Sequence, residues 1–154
     1  MRTPSTSPKI APGARSKRKV GQSTSKTRKT PTIAKLKVKL EALQKQITLQ
    51  KYGNDCYTCD AKDLVGKNCH LGHVPWPRPD ISIPAKFDHR YTRAQCMVCN
   101  VHRGGMGGVA YARMQSEGID MIMLREYADT DKRKAFSRSW FLDKIEEYKA
   151  LLEE

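Results

Sequence analysis

Four cysteines stand in two tight pairs, Cys56-Tyr-Thr-Cys59 and Cys96-Met-Val-Cys99. No other feature constrains the fold as much. Each CxxC offers two thiolates to one ion, and two such pairs close a tetrahedral zinc shell. Four thiolates leave no open coordination position, so the role expected for this zinc is structural. The fifth cysteine, Cys69, makes the number odd and argues against a complete disulfide framework. It reads most simply as a spare buried thiol, with zinc ligation as the alternative. No apolar run is long enough to span a bilayer, and the N-terminus lacks the apolar core of a signal peptide. The expectation is a soluble, cytoplasmic protein without a membrane partner.

Charge divides the 154 residues sharply. The net charge is +13, and all of it lies in residues 1–51, which carry 14 Lys and Arg and one acid, Glu41. Residues 52–154 balance to zero. A neutral cysteine-bearing body behind a basic arm suits a protein that meets nucleic acid. Solubility or addressing is the plainer use of such an arm.

Residues 1–31 are Ser, Thr, Pro, Gly, Lys and Arg with almost nothing apolar, which predicts disorder. Lys17, Arg18 and Lys19 would meet phosphates there without a fixed structure. Residues 32–52 change character. Ile33, Leu36, Leu40, Leu43 and Ile47 fall on one helical stripe, capped by Thr32 and stopped at Gly53. Core packing is the preferred use of the stripe, and a two-chain coiled coil the other. Residues 53–115 form the metal region. Its expected parts are a knuckle at each cysteine pair, a short strand near Asn68–Val74 and a proline-bearing loop. A helix follows Asn100, delayed by Gly104, Gly105, Gly107 and Gly108. Residues 116–154 read as helical, with Trp140, Phe141, Ile145, Tyr148 and Leu152 on one core-facing side.

Hydrolytic chemistry turns on His73, between the pairs, and Asn100, directly after the last cysteine. A neutral imidazole can take a proton from water near neutral pH. A second ion, Mg²⁺ or Mn²⁺, would bind a phosphate oxygen and stabilise the leaving oxygen. The side-chain oxygen of Asn100 suits it, and His70, on the opposite face of an extended segment from His73, could look toward it. Each residue also has a bland reading: His73 as a polar loop residue, Asn100 as a helix cap. Arg90, Arg93, His102 and Arg103 flank the motif and are candidate phosphate contacts, or simply a solvated face.

Taken together, Cys56-Tyr-Thr-Cys59, Leu71-Gly-His-Val74, Phe87-Asp-His-Arg90, Gln95-Cys-Met-Val-Cys-Asn100 and Gly104-Gly-Met106 resemble the HNH nucleases. They look most like the NinG (Rap) recombination nucleases of bacteriophage lambda. Phage endonuclease VII is similar in its Asn after the fourth zinc cysteine and its His in the strand between the pairs. The resemblance implies a small α+β fold: an HNH ββα-metal core stapled by a four-cysteine zinc site and flanked by N- and C-terminal helices. It implies Cys56, Cys59, Cys96 and Cys99 as zinc ligands, His73 as general base and Asn100 as ligand of the catalytic metal. The implied activity is structure-selective cleavage of branched DNA, such as Holliday junctions and D-loops, in phage or prophage recombination. That would place it in an infected or lysogenic bacterial host, beside phage recombination proteins.

The chain departs from the family pattern at three places. The acid expected before the histidine is Gly72, and the acid three residues before it is His70. Tyr91 stands where the middle asparagine would orient the base, with His89 or Asp88 as substitutes. A symmetric cut would suit a two-fold dimer built on helix 33–51 or the C-terminal helix. The competing function is a non-catalytic zinc-stapled module that binds nucleic acid. A basic zinc protein of the ribosome is a third.

Overall fold

The computed structural model describes residues 30–132 and 134–153. The disorder expected for residues 1–31, and the phosphate contacts expected of Lys17, Arg18 and Lys19, therefore lie essentially outside the described residues.

Helix α1 spans Ile33–Tyr52, with the Thr32 hydroxyl accepting from the Lys35 N–H at its start and Gly53 closing it at φ 77°. Strand β1 (His70–His73) pairs antiparallel with β2 (Thr92–Gln95), His73 opposite Thr92 and His70 opposite Gln95. Between the strands the chain makes a proline-bearing loop and one short helix, α2 (Ile83–Lys86). After β2 come a wide helical turn at Val98–His102 and then α3 (Gly107–Ser116), α4 (Met121–Asp129) and α5 (Arg138–Glu153). The result is a small mixed fold, mostly helix with one two-stranded sheet, in which strand, strand and helix follow one another around the cysteines.

Three apolar clusters hold it together. Leu36, Leu40 and Ile47 of α1 pack with Phe87 and with Phe141, Ile145 and Tyr148 of α5. The two stripes legible in the sequence thus bury each other. The α1 stripe is thus used for core packing, the preferred of its two expected uses. Tyr57, Val74 and Tyr91 join Ala110 and Met114 of α3 and Leu124 and Ala128 of α4 in a second cluster. The third surrounds the cysteines with Leu64, Ala94 and Cys69. Segments 32–52, 53–115 and 116–154 therefore share their cores within one unit, Pro31–Glu154. Among the described residues, no helix is long and apolar enough to cross a membrane.

Two polar residues interrupt the α1 stripe and are fully buried, Gln44 and Thr48. Burial without a partner is costly, so their contacts matter. The Thr48 hydroxyl meets that of Thr92 at 2.7 Å, tying α1 to β2. The Gln44 amide donates to the Lys86 carbonyl at 3.0 Å, tying α1 to the end of α2.

Candidate zinc centre and histidine hollow

The first knuckle lies along β2, because the Tyr57 N–H donates to the Ala94 carbonyl at 2.8 Å. The second begins at the residue after β2. The fold thereby brings Cys56, Cys59, Cys96 and Cys99 together, with all four sulfurs within 4.8 Å of one another. The Cys59 and Cys96 sulfurs are 3.8 Å apart. Sulfurs at about 2.3 Å around a tetrahedral zinc are separated by about the same distance, so the set fits that ion. The N–H of Cys96 donates to the Cys56 sulfur at 3.3 Å, and that of Cys99 to the Cys96 sulfur at 3.4 Å. Burial pushes the Cys56 thiol up, but the N–H groups of Cys96 and Thr58 outweigh it and bring the group down to about 6. Cys56 thus favours the thiolate, the form that binds metal, whereas burial pushes the Cys99 thiol up to about 12. Cys69 is buried in the surrounding apolar cluster and is not part of the tetrad.

His73 ends β1 and lines a hollow of about 430 Å³ whose wall also includes Leu71, Asn100 and Gly105. Its Nε2 lies 2.9 Å from the Lys86 carbonyl oxygen. A carbonyl only accepts, so Nε2 carries the hydrogen and Nδ1 is left with the free lone pair. Burial holds the His73 imidazole below the ordinary histidine value, against the opposing pull of the Lys86 carbonyl. A neutral ring with a fixed tautomer is the form a proton acceptor needs.

Asn100 does not cap α3. It sits inside the wide turn at Val98–His102, and the residue before α3 is Met106. Its Nδ2 lies 3.2 Å from Nδ1 of His70, whose Nε2 donates to the Lys67 carbonyl at 3.0 Å. His70 therefore presents an unprotonated nitrogen toward Asn100. This pair offers one imidazole nitrogen and one amide oxygen, and among the described residues only the cysteines form a cluster of three or more His, Cys, Asp or Glu ligands. Such donors fit a divalent ion that accepts nitrogen better than they fit Mg²⁺, which prefers oxygen.

Gly72 is explained by a neighbour. A Cβ there would stand 2.0 Å from Oε1 of Gln95, so an acid at this position would collide with a buried side chain. Gln95 is held by bonds to the Thr58 hydroxyl at 2.9 Å and to the Gly105 carbonyl at 2.7 Å. Gly105, at φ 81°, turns that carbonyl inward.

Three expectations are corrected. Tyr91 does not orient His73: it is buried in the α3–α4 core, and its hydroxyl donates to the Leu124 carbonyl at 2.6 Å. Asp88 and His89 do not substitute for it. Asp88 grips Arg90 through several bonds, and His89 meets the Lys51 ammonium at 3.1 Å. The His73 ring is bonded instead to the backbone carbonyl of Lys86. Arg93 is not a surface phosphate contact, because it is 3% exposed, lies 3.7 Å over the Tyr52 ring and donates to the Thr92 carbonyl. Arg90 remains at the surface but is engaged by Asp88 and lies over Tyr127, lining a hollow different from that of His73. His102 and Arg103 are exposed beside Gly104, which lines the His73 hollow.

Lys86 and Gln44 behind the histidine, Gln95 against Gly72, and Glu41 and Arg78 on the wall of the hollow were not expected from the sequence. Glu41 had one visible signal, as the lone acid of a basic segment. No protein-family model, curated protein or solved structure matches the chain.

Proposed function

We propose that this chain is a metal-dependent DNA endonuclease of the HNH type, stapled by one structural zinc and acting on branched DNA. The observation that carries the reading is the hydrogen bond from His73 Nε2 to the Lys86 carbonyl. It fixes a neutral, partly buried imidazole as a proton acceptor in a hollow it shares with Asn100, next to a four-cysteine cluster. The order of β1, β2 and α3 around that cluster agrees with a ββα-metal core, and the motif resemblance points the same way.

In this mechanism Nδ1 of His73 takes a proton from a water molecule, and the hydroxide attacks phosphorus. The bond from phosphorus to the 3′-oxygen breaks, leaving a 5′-phosphate and a 3′-hydroxyl that collects its proton from solvent. His70 and Asn100 are the residues that would hold the divalent ion, after a half-turn of the Asn100 amide exchanges its nitrogen for its oxygen. When bound, that ion supplies positive charge at the phosphate and the leaving oxygen. Mn²⁺ fits the donor set better than Mg²⁺. His102 and Arg103 would meet the DNA backbone near the hollow.

The test is cleavage of labelled four-way junction, D-loop and linear duplex by wild type and His73→Ala, each with Mn²⁺ or Mg²⁺. The expected result is cutting at the branch, faster with Mn²⁺, and reduced about 10²–10⁴-fold in the variant while zinc and DNA binding persist. Tight binding with no cutting under either metal would reject the nuclease in favour of a zinc-stapled nucleic-acid-binding module.

A further inference from the structure

Two charged side chains on the wall of the His73 hollow have no part in the chemistry above. Glu41 comes from the middle of α1, and Arg78 from the loop between the strands. A guanidinium nitrogen of Arg78 donates to the Glu41 carboxylate, and both side chains stay well exposed, at 43% and 38%. Arg78 also lies 5.7 Å over the ring of Phe87, which is buried in the α1–α5 core. One face of the guanidinium is thus backed by fixed structure, while the carboxylate occupies one of its donor nitrogens.

This carboxylate has unusual surroundings. Glu41 is the only acid in the first 51 residues. Nearby, Lys86 is held below its ordinary value first by burial and then by the charges of Arg78 and Lys37. Arg78 and its carboxylate partner stand together on the wall of a hollow that contains a proton acceptor. A guanidinium binds carboxylate and phosphate with the same fork of donors, so the two compete for it. An exposed pair of this kind is weak and readily exchanged.

We propose that Arg78 is the phosphate-holding element of the hollow, and that Glu41 occupies it in the free protein as an internal stand-in that DNA displaces. The proposal deepens the nuclease reading, on which the identity of the anion as a phosphodiester rests. Glu41 then acts as an internal competitor that a phosphodiester must displace from the guanidinium.

The test is equilibrium binding of a fluorescent four-way junction and a fluorescent duplex over a range of salt, using the full zinc-loaded chain without added divalent ion. Wild type, Glu41→Gln, Arg78→Gln and the double variant form a cycle. Zinc content and circular dichroism check that each is folded. Glu41→Gln is expected to tighten binding with a salt slope close to that of wild type, because the guanidinium makes the same phosphate contact without first giving up a carboxylate. Arg78→Gln is expected to weaken binding and flatten the slope by about one released counterion. In the Arg78→Gln background, the gain from Glu41→Gln should nearly vanish.

An equal gain from Glu41→Gln in both backgrounds would mean general charge repulsion and overturn the proposal. So would unchanged or weaker binding by Glu41→Gln. Because the cycle reads binding alone, it is separable from the nuclease reading. A wild type that cuts nothing, with the cycle as expected, removes the nuclease and leaves the phosphate element. A wild type that cuts, with a flat cycle, does the opposite.

Discussion

The Nε2 of His73 and the backbone oxygen of Lys86 are 2.9 Å apart, and the Gln44 side chain reaches the same oxygen from α1 at 3.0 Å. One carbonyl at the end of α2 therefore receives two donors, one from a strand and one from a helix. Its position fixes the ring of the candidate base, and α1 fixes its position.

Gln44→Met follows from that arrangement. The substitution keeps the volume but removes the donor to Lys86. It also removes a buried amide oxygen, Oε1, that has no hydrogen-bond partner among the described residues. A lost bond costs about 1 kcal/mol net, and losing an unsatisfied acceptor offsets part of it. Thermal unfolding should move by no more than about 1 kcal/mol. Cleavage should fall several-fold, because the carbonyl that holds His73 is less firmly placed. A large stability loss with unchanged turnover would show that Gln44 serves packing alone.

The pH dependence has a definite sign. Burial holds His73 below the ordinary histidine value, so the folded chain favours the neutral ring. The acid limb of kcat/KM should then lie below about 6.5, the unperturbed value, with full activity at neutral pH. The same linkage bears on stability. A group with a depressed folded pKa contributes stability that is complete above the unfolded value and is lost as pH falls through the folded one. Wild type should therefore lose more stability than His73→Ala between about pH 7.5 and 5.5. Melts with zinc content checked at each pH would read this directly, and parallel curves for the two proteins would contradict it.

Zinc removal should unfold the region around the strands. Apparent binding energies for structural zinc are on the order of 10 kcal/mol or more, comparable with the whole stability of a small domain. Cys96→Ser is expected to abolish stoichiometric zinc and the cooperative melt, with metal analysis giving one zinc per chain for wild type. Retention of a cooperative melt in a zinc-free Cys96→Ser protein would show that the apolar clusters suffice without the metal.

Restoring an acid at position 72 should fail. Gly72→Asp places a Cβ where Gln95 already stands, and Gln95 is held by two hydrogen bonds. Overpacking of a filled site typically costs about 1–3 kcal/mol. Chemical denaturation should report that loss for Gly72→Asp and also for Gly72→Ala, since the clash begins at Cβ. A neutral Gly72→Ala would mean that Gln95 moves aside freely.

The parts of this protein that were legible in its sequence are those set by spacing along the chain. Two residues between the cysteines let one local turn bring the sulfurs of each CxxC pair together, and the tetrad formed as the motif required. The stripes of α1 and α5 follow from apolar residues at helical intervals, and Thr32 and Gly53 mark the ends of α1 by their local backbone roles. Contacts between distant segments were not legible. The partner of His73 is a backbone carbonyl, and every residue has one, so no side-chain identity announces it. Arg93 looked like a surface cation until the tyrosines at positions 52 and 57 closed over it. Gly72 read as a missing acid, and only the packing of β2 reveals the glutamine that excludes one. Local propensity and ligand spacing are properties of neighbouring residues and survive in the sequence. The tautomer of His73, the burial of Arg93 and the meeting of Glu41 with Arg78 depend on how helices and strands pack, and only the tertiary structure decided them.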